Sequence, residues 1–181
     1  MTRNDFMKCA VGICSCAAFT LMPESTQAES GSAEMDALKW KLDAAQKRFA
    51  ILVGILNERL DEPTRKAIFE SLGRQCARQY SELIGQYKGN LSGFLDEIQK
   101  RWVATAEYDE KAGTIRVVDR SKTCTCPLVN ESLTPQSFCD CTLGWQKETY
   151  SAILGRTVDA ELEESILRGG SRCVFRMQAR S

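Results

Sequence analysis

The chain contains no histidine. That absence excludes every Ser-His-Asp and Cys-His relay, and any metal site must be built from thiolates or carboxylates. Nor is there an excess of either charge: 24 Lys and Arg balance 24 Asp and Glu. No basic run occurs, so nucleic acids and anionic membrane surfaces are excluded as partners, since both require clustered cations. A glycine-rich phosphate loop and an internal repeat are also missing. The apolar run Cys9–Met22 covers about 14 residues, too short to span a bilayer comfortably as a mature helix.

What remains is 181 residues, a one-domain length, with 43% apolar and 27% charged residues, sufficient for a sizeable core. The first 28 residues read as a leader. Arg3 and Lys8 flank a polar start, Cys9–Met22 is the apolar stretch, and Pro23 and a polar segment lead to Ala28. This is the three-part pattern of a secretory signal peptide, with cleavage expected after Ala28. The stretch Thr2-Arg3-Asn4-Asp5-Phe6-Met7-Lys8 resembles a twin-arginine export signal, with Asn4 where the second arginine belongs. A buried N-terminal helix is the alternative. A lipoprotein anchor on Cys14 or Cys16 is disfavoured, because the apolar run before either is too short. The expected location is periplasmic or otherwise extracytoplasmic, with membrane contact only through the export signal.

Residues 29–33 are Ser- and Gly-rich and predict a flexible linker, leaving residues 34–181 as one domain. Met35, Leu38, Leu42, Ala45, Phe49, Leu52 and Leu56 recur at alternating three- and four-residue steps, which predicts a long helix with an inward stripe. Ile51, Val53 and Ile55 widen that stripe, favouring a core helix over a pure coiled coil. Asp61-Glu62-Pro63 marks a new helix start, with Ile68, Leu72 and Cys76 on one face. Leu83, Ile84 and Tyr87 predict a short helix, and Leu91, Phe94, Leu95, Ile98 and Trp102 the inward side of another. Alternation over 104–108 and 115–118 around Lys111-Ala112-Gly113 predicts a β-hairpin. A cysteine-bearing loop, Ser121–Phe138, precedes a helix from Cys139–Cys141 to Gly155. Strands over Thr157–Ile166 and Ser171–Met177 close the chain. The predicted class is α+β: N-terminal helices on a small antiparallel sheet of about four strands, with one helix inserted before the last two.

Nine cysteines are present, three of them in the leader. The other six are Cys76, Cys124, Cys126, Cys139, Cys141 and Cys173, and two Cys-x-Cys pairs are not scattered core thiols. Three readings compete. Four thiolates satisfy a tetrahedral metal, most plausibly zinc. Disulfides suit an exported chain with an even cysteine count, cross-paired between the motifs because bonding within Cys-x-Cys is strained. A reactive thiol is the third, since Cys139 and Cys141 fall at a predicted helix N-terminus, which stabilises thiolate. Cys76, on the stripe of Ile68 and Leu72, reads as a small core residue with a ligand role as the alternative. Asp140 is a candidate ligand or general base, with helix N-capping as its structural role. Glu161, Glu163 and Glu164 read as a solvated strand face, and Trp145 and Tyr150 as core or cavity wall.

The segments Phe138-Cys139-Asp140-Cys141-Thr142-Leu143-Gly144-Trp145, Gly155-Arg156-Thr157-Val158 and Gly169-Gly170-Ser171-Arg172-Cys173-Val174-Phe175 carry a family resemblance, with Gly73-Arg74-Gln75-Cys76 as a further element. The pattern resembles the C-terminal part of the bacterial family related to L-2-amino-thiazoline-4-carboxylic acid hydrolase, including its exported relatives. It is distantly similar to 4-vinyl reductase domains. The resemblance implies an α+β domain with a small-molecule pocket between helices and sheet. The vinyl reductase likeness also implies a zinc held by cysteines, with Cys139 and Cys173 at ligand positions. That pattern expects a cysteine where Ser165 stands and a glutamate where Leu162 stands. Cys124, Cys126 and Cys141 would then supply the missing ligands. The leading expectation is an exported small-molecule-binding domain with a structural, cysteine-bound zinc. The alternatives are a hydrolase of a small cyclic amide or amidine-like substrate and a thiol-redox protein with disulfides.

Overall fold

A computed structural model describes residues 25–180, with side chains from residue 32 onward. Residues 1–24 of the expected signal peptide lie outside the described residues. The chain divides into two units at residue 39. Within the described residues the first holds only the start of helix α1 (Ser25–Arg59). Residues 29–33, expected as a linker from their composition, fall within the bounds of that helix.

The second unit, from Trp40, is the α+β domain. The rest of α1 is followed by α2 (Glu62–Arg78), α3 (Ser81–Gly85), α4 (Leu91–Arg101), β1 (Val103–Asp109), β2 (Thr114–Asp119), α5 (Asp140–Leu154), β3 (Val158–Glu164) and β4 (Val174–Ala179). The four strands form one antiparallel sheet in the order β1-β2-β4-β3. Helix α5 is inserted before the last two strands, as the sequence predicts. It packs on β3 and β4 and against α2, while α4 packs on β1 and α3 on α5. No helix of the described residues is long and apolar enough to cross a membrane.

Local chemistry sets these boundaries. Asp61 accepts a hydrogen bond from the Thr64 amide at 2.8 Å and caps α2, with Pro63 in the first turn. Inward alternation is clean on the strands: Ile115 and Val117 of β2 and Phe175 and Met177 of β4 are fully buried. Their outward neighbours Arg116 and Arg176 stand directly opposite one another, and both pair with Glu163 of β3. Glu161 and Glu163 therefore form a solvated face on which Glu163 is charge-compensated.

The contact between α2 and α5 depends on two glycines. A Cβ on Gly73 would lie 1.8 Å from the Cys141 carbonyl oxygen, and one on Gly144 would lie 1.8 Å from that of Glu70. The helices touch backbone to backbone, which only glycine permits. Ion pairs flank this contact: Lys147 donates to both Glu70 oxygens at 2.7 and 2.8 Å, and Arg78 donates to Glu148 at 2.7 Å.

Three predicted faces are corrected. On α1 the stripe read as inward is largely exposed, with Met35, Leu38, Leu42 and Leu52 open to solvent. Its buried side runs through Ala50 and Val53, because that line meets Phe138 and its neighbours. Of the three residues that widened the stripe, Ile51 and Ile55 are exposed while Val53 is fully buried. On α2 the buried face is Phe69, Gly73 and Ala77, one residue on from Ile68, Leu72 and Cys76, because the glycine contact fixes the helix rotation.

Candidate functional site

Two apolar clusters organise the domain. The larger joins the inward sheet face to α3, α4 and α5, with Phe94, Ile98, Val117, Tyr150 and Phe175 among its buried members. It is not completely filled. A cavity of about 370 Å³ opens between β2, α4 and α5, within the size range of small-molecule sites. Period-two alternation builds its floor: after Ile115 and Val117, the next inward position of β2 is Asp119. Helix α5 contributes Trp145, Gln146, Thr149 and Tyr150, and the end of α4 contributes Ile98, Arg101 and Trp102. Edge-to-face contacts hold the aromatic walls, Tyr80 against Trp145 at 5.2 Å and Phe94 against Tyr150 at 5.7 Å.

Two polar groups of this cavity, Thr149 and Asp119, lack partners. The Thr149 hydroxyl is buried without a hydrogen bond, in a residue only 3% exposed. Burial pushes the Asp119 carboxyl up to about 6, with no donor or cation acting on it in the opposite direction. Burial, and then Asp119, push the Tyr150 phenol well above its ordinary value. Asp119, Arg101 and Trp102 also line an outer compartment with Arg120, Ser121 and Thr125, so the inner cavity leads to a polar mouth. Of the two residues read as core or cavity wall, Trp145 is a wall and Tyr150 is both. Sequence reasoning passed over Asp119, Gln146 and Thr149. For Asp119 the signal was present, since alternation along Ile115, Val117 and Asp119 puts a carboxylate on the buried face.

The second cluster contains Val53, Phe69, Val129, Phe138 and Leu167, with Cys124, Cys126, Cys139 and Cys141 packed in it. Phe138 stands edge-on to Phe49 at 4.7 Å and Phe69 at 5.5 Å. All six candidate cysteines are free thiols. Their mutual electrostatic influence places them in one neighbourhood: Cys124 with Cys126, Cys139 and Cys173, and Cys141 with Cys76, Cys126 and Cys139. Cys76 therefore faces the other sulfurs from α2 and is half-buried. Cys139 Sγ lies 3.3 Å from Ser165 Oγ, so the serine at the expected cysteine position does face Cys139. Cys173 receives the Ile166 amide.

Burial bears on the thiol expectation, and the N-cap expectation for Asp140 is corrected. Burial pushes Cys124 up to about 11 and Cys141 up to about 12, and raises Cys126, Cys139 and Cys173. Burial therefore acts against thiolate formation at Cys139 and Cys141. Asp140 is not the N-cap of α5. Cys139 holds that position without a side-chain cap, while Asp140 lies in the first turn and accepts from Arg168 at 3.1 Å. That ion pair ties α5 to the Ile166–Arg168 turn and occupies the carboxylate. As a metal site the cluster is incomplete: among the described residues no three His, Cys, Asp or Glu side chains are placed to hold one ion. The donors have the right chemistry and share a region.

No curated protein matches the chain. Among solved structures, a trafficking protein particle complex subunit 3 from Naegleria fowleri, covalently bound to palmitic acid, aligns at a TM-score of 0.51 and 14% identity. The alignment covers 79% of this chain and 97% of that one. The phenol-responsive sensory domain of the transcription activator PoxR, with phenol, aligns at a TM-score of 0.52 and 16% identity, covering 74% of each chain. At these identities the likeness is one of fold. Nothing in these comparisons supports the specific hydrolase-related family that the C-terminal pattern resembles. Residues 51–181 instead match the family of unknown function DUF6144, and the chain belongs to that family.

Proposed function

We propose that this protein is an extracytoplasmic small-molecule-binding domain whose ligand occupies the aromatic cavity between β2, α4 and α5. The observation that carries the proposal is the combination of an unfilled apolar cavity with buried polar groups left without partners. A packed core satisfies such groups or omits them, whereas a binding site holds them ready for a ligand. The two structural neighbours, bound to palmitic acid and phenol, show the same kind of fold accommodating apolar molecules. Isothermal titration with 2-phenylethanol, 2-phenylethylamine and 3-phenylpropanoate tests the site. At least one is expected to bind one-to-one, and Val117→Phe, which fills the cavity, is expected to abolish that binding in a folded protein. Absence of binding by all three would contradict the proposal.

Export is proposed on the three-part leader alone, and N-terminal sequencing of secreted material is expected to begin at Glu29. The zinc proposal has the chemical support of clustered thiols and lacks geometric support. Metal analysis with a free-thiol count decides it: stoichiometric zinc supports a structural site, and six titratable thiols without metal oppose it. A mass two units lower per bond would instead reveal disulfides.

A further inference from the structure

The cavity has a charge preference as well as a shape. We propose that its ligand is an organic ammonium ion, a small molecule with an apolar, aromatic body and one protonated amine that pairs with Asp119. This rests on the reading of the cavity as the ligand site.

The first argument is the missing counter-charge. Asp119 faces the cavity at the border with the outer compartment, and no donor or cation offsets its burial. Each guanidinium nearby is turned to another acceptor. Arg101 donates to Glu97 at 2.6 Å. Arg120 donates to the carbonyls of Gln99 and Val103. Arg172 donates to the backbone carbonyls of Asp119 and Arg120 at 3.3 and 3.4 Å. A desolvated carboxylate without a partner is costly, and a bound cation is what offsets that cost most completely.

The second argument is the rest of the cavity. Trp102, Trp145 and Tyr80 line the cavity, and aromatic rings of this kind attract an ammonium group. An ammonium has three N–H donors, and Asp119 takes one. The hydroxyl of Thr149, buried and unpartnered, and the amide oxygen of Gln146 are acceptors for the others. A neutral alcohol brings a single donor and leaves acceptors unmatched. An anionic ligand meets Asp119 with like charge. The cavity volume of about 370 Å³ suits a single-ring amine.

The test is isothermal titration at pH 7.5 of the full chain and Asp119→Asn with the same three probes, which differ at one terminal group. 2-Phenylethylamine is expected to bind at least about tenfold more tightly than 2-phenylethanol, with 3-phenylpropanoate weakest. In Asp119→Asn the amine is expected to fall to the level of the alcohol, while the alcohol keeps its affinity. A thermal melt of the variant confirms that it is folded. An amine no tighter than the alcohol, or an advantage that survives Asp119→Asn, overturns the inference and leaves the cavity as a ligand site. Absence of binding by all three probes overturns both.

Discussion

Along α5 the side chains divide between two environments. Trp145, Gln146, Thr149 and Tyr150 line the aromatic cavity, while Cys141 at its start, with Cys139 just before it, joins the thiol cluster. Around the thiol cluster several polar groups have partners. Cys139 meets Ser165, Asp140 meets Arg168, and the Cys124 amide donates to Glu131 at 2.6 Å. In the cavity the equivalent groups face empty volume. One helix thus borders a region packed around Phe138 and a region kept open, and the unfilled volume distinguishes them better than residue type does. The regions meet at Cys173, which packs against the cavity-side core, feels both Asp119 and Cys139, and accepts Asp119's amide through its carbonyl at 2.9 Å.

Truncation is expected to have opposite consequences on the two sides. Phe138→Ala removes the ring between Phe49 and Phe69 and is expected to cost about 3–5 kcal/mol in a denaturant titration. Probe binding to the remaining folded protein should be little changed. A cost below about 1 kcal/mol would show that the thiol side is not packed as described.

Asp119→Asn is expected to act in the other direction. It removes a carboxyl held up to about 6, against 3.8 for an unperturbed aspartate, by burial alone. Because the folded value lies above the unfolded one, the folded chain binds more protons between about pH 4 and pH 6. This group's contribution to stability is therefore best at low pH and is lost as pH rises through that window. The variant should gain about 1–2 kcal/mol at pH 7, after discounting for residual exposure. The groups around Asp119, namely Tyr150, Cys173, Arg101, Arg120 and Arg172, are unchanged in the variant. The difference between wild-type and variant melts at pH 5 and pH 7 therefore isolates the carboxyl. A variant less stable than wild type at pH 7 would mean that Asp119 has a structural partner.

Much of this architecture is legible in the sequence, and the failures are informative. The hairpin, the inserted helix and the two closing strands follow from period and turn chemistry, because strand alternation leaves little freedom in which face is buried. Helix faces are less determined. The apolar stripe of α1 is broad enough to allow two rotations, and tertiary contact with Phe138 selects the one through Val53. On α2 the choice is made by Gly73, whose meaning appears only when α5 lies against it. Cysteine spacing pointed to a region where sulfurs gather, but spacing does not encode whether loop and helix bring them to ligand distance. The cavity was hardest to foresee, because empty volume has no residue of its own.

The smallest expected effect sharpens the reading of α1. Ile51→Glu falls on the exposed side, with Ile51 64% exposed, and should change stability by no more than about 0.5 kcal/mol. A large loss would restore the face first inferred from the pattern.

The division between an open and a packed region is tested most directly by amide chemical-shift mapping with 2-phenylethylamine. The largest changes are expected at Val117, Asp119, Gln146 and Thr149, with Cys126, Val129 and Phe138 nearly unmoved. Shifts centred on those last three residues, with β2 and the middle of α5 silent, would contradict the account.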